Sequence, residues 1–284
     1  MASEVQRYHH FHAEADILSA ELQRPLQQDI KPQAFVKLPE EGGYLSQRAE
    51  NFRVEGVISF HSAYTQVAGN ESLKPAHGWT TLVTSVVEGL NVLDVVTADR
   101  IVAQISTDHP AMGYVPSVTF LGTRFENLKI AGHHVKPELD LGICGPKPPN
   151  DTPYIEDSAF LNRVAQQYAG INPSKNLPDL SGKKYDKGLL DLARIKEQDE
   201  KAKKGQGQRA KVECSLVNSV GQAPAGTTAF GHVIVVPDFG KIFLAELDVD
   251  RDTFHLTMIR LDLGCVAHGN GKIVKGSVNG TTKP

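Results

Sequence analysis

Alternation of apolar and polar residues at period two dominates this chain and is clearest over residues 230–278. Residues 233–236 are a β-branched run, Pro237-Asp238-Phe239-Gly240 reads as a turn, and residues 241–247 as a second strand. A reversal at 248–252, a third strand at 253–266, a tight turn at His268-Gly269-Asn270-Gly271 and a fourth strand at 272–278 complete an antiparallel meander. In the third strand the apolar phase slips, because Phe254, Leu256 and Met258 share one face while Ile259, Leu261, Leu263 and Cys265 continue on the other. Such a slip needs either one extra residue absorbed locally, a β-bulge near Met258-Ile259, or a strand covered on both faces.

Upstream, residues 8–22 set Phe11, Ala13, Ala15 and Ile17 against His10, His12, Glu14 and Asp16, which favours a strand over the helix that their Ala, Glu and Leu content also allows. Arg24-Pro25 and Lys31-Pro32 interrupt the chain, 34–38 reads as a short strand and 40–43 as a turn. Two β-rich blocks follow at 52–69 and 79–107, the second with a reversal expected at Glu88-Gly89-Leu90-Asn91. Residues 116–139 predict a hairpin turning at Ala131-Gly132-His133-His134.

Composition changes at CGPKPPNDT, residues 144–152. Helical spacing then appears over 154–169 and again over 183–204, whose charged end KEQDEKAKKGQGQR is expected to fray into solvent. The chain therefore divides into a β-rich part at 1–143, a proline-rich linker with a helical insertion at 144–210, and a meander at 211–284 that completes the same β domain. The expected fold is mainly β, an antiparallel sandwich or barrel-like sheet with a helical insertion.

A net charge of −3 over 284 residues supplies no field that would gather nucleic acid or an anionic membrane. The first thirty residues hold no apolar core of a secretory signal, and no run of about twenty apolar residues suggests membrane insertion. Cys144, Cys214 and Cys265 form no C-x-x-C, so buried free thiols are expected, with a Cys214–Cys265 disulfide as the alternative in an oxidising compartment.

Candidate chemistry is sparse. His10 and His12 share one face of a strand, a spacing that suits a zinc site if a third ligand converges. Asp248, Asp250 and Asp252 begin like a calcium loop, but Thr253 and Ile259 stand where an EF-hand places its Gly and Glu, so a solvated hairpin end competes with a calcium site. Trp79, Tyr64 and Tyr114 would stack on a sugar if exposed together; core packing is the simpler reading of each. No G-x-S-x-G, P-loop, H-E-x-x-H or strand-linked G-x-G-x-x-G occurs.

The succession of Val96-Thr97-Ala98-Asp99, the strand and turn over 125–132, and the terminal strands over 254–276 resembles the choice-of-anchor P family of bacterial surface proteins. That resemblance implies a β-rich extracellular or surface protein and supplies no catalytic residues; the export signal and anchor usual in that family are not seen here. The expected function is accordingly a non-enzymatic structural protein that self-associates into a homo-oligomer through its sheet edges. The alternatives are a carbohydrate or small-ligand binding module, and a hydrolase or isomerase with His and Asp gathered from separate strands.

Overall fold

Phe11, Ala13, Ala15 and Ile17 are buried while His12 and Glu14 between them stay partly exposed, so the first alternating stretch is a strand, β1 (Tyr8–Arg24). The computed structural model describes residues 7–24, 27–54, 56–73, 77–171, 185–264 and 267–283. Short strands β2 (Gln28–Ile30) and β3 (Val36–Lys37) precede four long ones, β4 (Gly43–Val54), β5 (Ile58–Glu71), β6 (His77–Val92) and β7 (Val96–Pro110). Five short strands follow: β8 (Ser117–Thr119), β9 (Arg124–Glu126), β10 (Lys129–Ile130), β11 (His133–His134) and β12 (Glu138–Leu139). Helices α1 (Ser158–Gly170) and α2 (Leu192–Lys203) make up the insertion. The last seven strands are β13 (Val212–Ser215), β14 (Val217–Ser219), β15 (Thr228–Phe230), β16 (Val233–Val236), β17 (Gly240–Val249), β18 (Thr253–Leu263) and β19 (His268–Lys283).

Most of these strands build two antiparallel sheets, while β12 and β14 pair in a third of two strands. The front sheet runs β15-β16-β17-β18-β19-β1-β2, with β13 added on β17 and β3 on β1; the back sheet runs β11-β10-β7-β6-β5-β4, with β8 and β9 added on β7. Neither closes into a barrel, so of the two expected forms the sandwich is the one observed. β1 and β19 lie across β5, β6 and β7 and share one apolar core with them. Ser85 Oγ crosses the interface to donate to the Lys275 carbonyl at 2.6 Å. Residues such as Phe60, Ile101, Ile105 and Leu256 are at most 1 % exposed there, each contributing about 1.5–3 kcal/mol of burial.

The phase slip at Met258 belongs to the whole front sheet rather than to one strand. The buried set changes parity between Ile17 and Leu18 in β1, Val274 and Ile273 in β19, Met258 and Ile259 in β18, and Ala245 and Leu244 in β17. Register is nevertheless kept on both sides, with Thr257 opposite Glu246 and Lys275, and Ile259 opposite Leu244 and Ile273. The expected single-strand bulge is thus replaced by a transverse row, Ile17, Val274, Met258 and Ala245, in which alternate members adopt left-handed backbone, φ 56° at Val274 and φ 47° at Ala245. An extra residue in one strand would break step with its neighbours, whereas one in each strand reverses the pleat and keeps the ladders in register.

The back sheet repeats the device with Asn51 (φ 53°), His61, Gly89 (φ 64°) and Asp99. A Cβ on Gly89 would run into the His61 ring. The reversal expected at 88–91 therefore does not occur: β6 continues to Val92 and turns at 93–95, where the Asn91 side chain accepts from Asp94 N at 2.9 Å.

Four further expectations change. His268-Gly269-Asn270-Gly271 is strand, since β1 offers it a ladder that pairs Gly271 with Ala20 and Gly269 with Leu22. His133 and His134 are the exposed strand leaving the hairpin turn, not the turn itself, which is Ala131-Gly132. The charged tract does not fray as expected but is ordered through Lys203. Asp191 caps α2 by accepting from Arg194 N, Asp199 is buried and accepts from Ala210 N at 2.9 Å, and Arg251 reaches both Glu156 and Asp199. The expected helix at 183–204 starts only at Leu192, because Asp186 caps a separate single turn, Lys187–Leu190; residues 183–184 lie outside the described residues. α1 packs on the β13–β17 end of the front sheet, where the Gln167 amide donates to Ser215 O and accepts from Ser215 N, both at 2.8 Å, replacing a missing strand neighbour.

Candidate functional site

Three places carry more than packing requires. The first is the end of the sandwich where β1, β6, β7 and β19 meet. His9 lies on the inward face of β1, its ring stacked on Trp79 of β6 at 5.1 Å and 10°, and 4.5 Å from the ring of His109, which is paired with Trp79 in the ladder. Phe11 meets His9 edge-on at 4.6 Å. The two imidazoles approach over Gly280, where a Cβ would collide with both.

His9 Nδ1 lies 3.1 Å from Thr282 Oγ1, and His109 hydrogen-bonds the Gly280 backbone. His9 Nε2 and His109 Nδ1 are buried and have no hydrogen-bond partner among the described residues. Burial pushes His9 down to about 3, with His109 and His10 adding to the effect, and pushes His109 down to about 4 against the opposing Gly280 bond. Both rings are therefore neutral at ordinary pH.

Outside this plug opens a cleft of about 1130 Å³, lined by Arg7, His9, Phe11, Glu40, Glu71 and Trp79 among others. Arg7 is fixed at its rim, donating to the Ala111 carbonyl at 2.8 Å and standing 5.0 Å over the Tyr114 ring. One imidazole–carboxylate pair occurs in the cleft, His10 Nδ1 to Glu40 Oε2 at 3.3 Å; Glu40 is well exposed, so the pair is screened by water.

The second place is a buried network beneath the helical insertion. Arg260 grips Glu246 with Nε–Oε2 at 2.5 Å and a second bond at 3.1 Å, holds Asp262 at 2.7 Å, and lies 3.4 Å over the Phe243 ring. The Tyr185 hydroxyl donates to Glu246 Oε1 at 3.3 Å and sits 3.1 Å from His232 Nε2. Burial raises the Tyr185 phenol, so it stays protonated, and His232 is fully buried. The arrangement ties the insertion to the β16–β18 part of the front sheet.

The third place is the free edge of the back sheet. β4 is twelve residues long, is paired only with β5 among the described residues, and is exposed along almost its whole length. Among the described residues the other sheet edges are short or covered. β1, for example, is shielded by β2, β3 and bonds such as Ile17 N to Gln33 O and Leu38 N to Ala13 O.

Of the residues singled out from sequence, Trp79 lines the cleft and Tyr114 lies under Arg7 at its rim, whereas Tyr64 is elsewhere on the back sheet, its hydroxyl accepting from Arg100 at 3.0 Å. The three aromatics do not form one platform. His10 and His12 share the solvent side of β1 but face different carboxylates, Glu40 and Glu14. Asp248 faces Lys211 and Asp252 faces Arg209, both as ion pairs, while Asp250 accepts from the backbone N–H groups of Asp252 and Thr253. Among the described residues no group of three or more His, Cys, Asp or Glu side chains is arranged to hold a metal ion. Cys144 and Cys214 are buried free thiols; Cys265 lies outside the described residues. No helix among the described residues is long and apolar enough to cross a membrane.

Residues 9–250 match the family described as Domain of unknown function (DUF8256). The chain belongs to that family. The match runs from β1 to the residue just after β17 and takes in the helical insertion, so it replaces the resemblance to the choice-of-anchor P family, which rested on the spacing of β-forming residues that many antiparallel meanders share. Neither the curated proteins nor the solved structures contain a match to this DUF8256 chain.

Proposed function

We propose that this DUF8256 chain is a non-enzymatic assembly module that works by associating with copies of itself. The observation that carries this reading is β4, a twelve-residue strand whose outer row of backbone donors and acceptors has no protein partner among the described residues. Such a row is satisfied equally well by water or by another strand, and a second strand also removes apolar side chains from water. Light scattering on a size-exclusion column across a concentration series tests it. Mass rising toward a multiple of 30.9 kDa supports association; a monomer throughout, into the hundreds of micromolar, overturns it.

A second reading rests on the cleft, where the single tryptophan of the chain forms part of the wall beside carboxylates and Arg7. A small polar ligand such as a sugar would perturb Trp79 emission on binding. A flat fluorescence titration across a glycan panel removes this reading and leaves the first untouched.

A further inference from the structure

We infer that two copies pair only the first part of β4, residues 43–49, antiparallel about a two-fold axis through Ser46, with Arg48 of each copy against Tyr44 of the other. This rests on the self-association reading and adds the segment, the register and the contacts.

A two-fold axis normal to a sheet keeps core-side residues opposite core-side ones, so it passes through a residue and the paired stretch must keep one pleat phase. In β4 that phase runs from Gly43 to Glu50. Leu45, Gln47 and Ala49 face the core opposite the buried Val67, Thr65 and Ala63, while Tyr44, Ser46, Arg48 and Glu50 face outward. At Asn51 (φ 53°) the phase reverses, and Phe52, opposite the buried Phe60, is again on the core side. A ladder that crosses Asn51 would oppose inward residues to outward ones. Within 43–50 two axes give the longest ladder in phase, Ser46 pairing 43–49 and Gln47 pairing 44–50.

Charge separates the two. An axis at Gln47 sets Arg48 diagonally beside Arg48 of the second copy, within reach of two long cationic side chains. An axis at Ser46 sets Arg48 opposite Tyr44 of the second copy, twice over. Arg48 already has Tyr64 opposite it on the β5 side, so its guanidinium would stand between two tyrosines while keeping its 2.8 Å bridge to Glu50. The same sheet holds such a contact already, Arg100 donating to the Tyr64 hydroxyl at 3.0 Å.

The other face of the ladder gains apolar contact. Leu45, 41 % exposed, comes opposite Gln47 of the second copy, in the row of Thr65, whose Oγ1 donates at 2.6 Å to the Ala34 carbonyl beside Phe35. Phe35 is 48 % exposed and Tyr44 61 %, so both have surface to cover. The chain reaches β4 through a turn closed by Gly42 N to Pro39 O at 3.0 Å, and Asn51 of each copy passes beyond Gly43 of the other. No pair therefore spans the reversal.

The sign of a charge at residue 44 tests the register by analytical ultracentrifugation. Tyr44→Arg sets arginine against Arg48 and weakens dimerisation about tenfold or more, whereas Tyr44→Glu sets a carboxylate against it and leaves the dimer at least as tight as the parent. About Gln47 residue 44 would face Glu50, and the two signs would be exchanged. S46C adds a readout independent of charge: its copies lie within disulfide reach across the axis, and mild oxidation links them through peptides containing residue 46, which the parent chain does not show. Tyr44 and Ser46 are both exposed, and an unchanged circular dichroism spectrum confirms that each variant folds. A parent chain that dimerises while the signs are exchanged or absent, or while S46C stays unlinked, overturns the axis at Ser46 and leaves self-association standing. A parent chain that never dimerises overturns both.

Discussion

The imidazole of His9 stacks on the indole of Trp79 at 5.1 Å, almost parallel, and burial holds that imidazole neutral with its ionisation pushed down to about 3. His109 beside it is pushed down to about 4. In the unfolded chain both would titrate near 6.5, so between that value and about 3 the unfolded state binds protons that the folded state refuses. Their contribution to stability is therefore complete above pH 6.5 and is lost as the pH falls through 4 and 3. Urea midpoints measured from pH 8 to pH 4 are expected to be flat at first and then to drop. His109→Leu should make the acid limb shallower, and an unchanged slope would rule out this origin.

The Arg260–Glu246 pair is 15 % and 10 % exposed, with the aromatic face of Phe243 beneath the guanidinium. Removing one partner leaves a buried charge, which costs about 3–5 kcal/mol. Arg260→Met is expected to destabilise by that amount in chemical denaturation. Arg260→Met combined with Glu246→Leu should recover most of it, since an apolar pair needs no compensation in the same space.

Gly89 combines a left-handed backbone with close approach to the His61 ring. Gly89→Ala is expected to destabilise by about 2 kcal/mol or more, one part from the backbone and one from the collision. Adding His61→Ala removes only the collision, so thermal unfolding of the double variant should fall between the parent and the single variant. Full recovery would show that the left-handed backbone at this position carries no cost.

Burial raises the thiols of Cys144 and Cys214 well above the ordinary cysteine range. Reaction needs the thiolate, so both should resist alkylation at pH 8 until the fold opens. Native protein should then titrate at most one of its three thiols with Ellman's reagent, and all three in guanidinium. Fast labelling of Cys144 or Cys214 in the native state would contradict this packing.

Strands with a buried face were legible in the sequence: β1, β5 and the run from β16 to β18 all announce themselves by alternation. β4 was not, and its sequence shows why, for GYLSQRAENFRV buries only Val54 and so has no apolar period to read. The strand on which the functional proposal depends is hidden because a free edge has little to hide from water. Local turn chemistry misled at Gly89 and at Gly269-Asn270-Gly271, where a neighbour distant in sequence supplies a ladder that no window of ten residues contains. For the candidate site, Trp79 was singled out while His9 and His109 were not. Nothing in a lone His109 announces an imidazole facing another from the opposite sheet, and that juxtaposition comes from the β1–β19 pairing across the whole chain.

That same pairing orders events during synthesis. The ladders of β4 through β7 join consecutive segments and can zip while the chain is still emerging from the ribosome. β1 must wait for β19, which starts only at His268, before Phe11, Ala13, Ala15 and Ile17 are enclosed between two layers. A nascent chain stalled before residue 268 should therefore display a finished back sheet and a sticky, half-built front one, the form in which chaperones would encounter it.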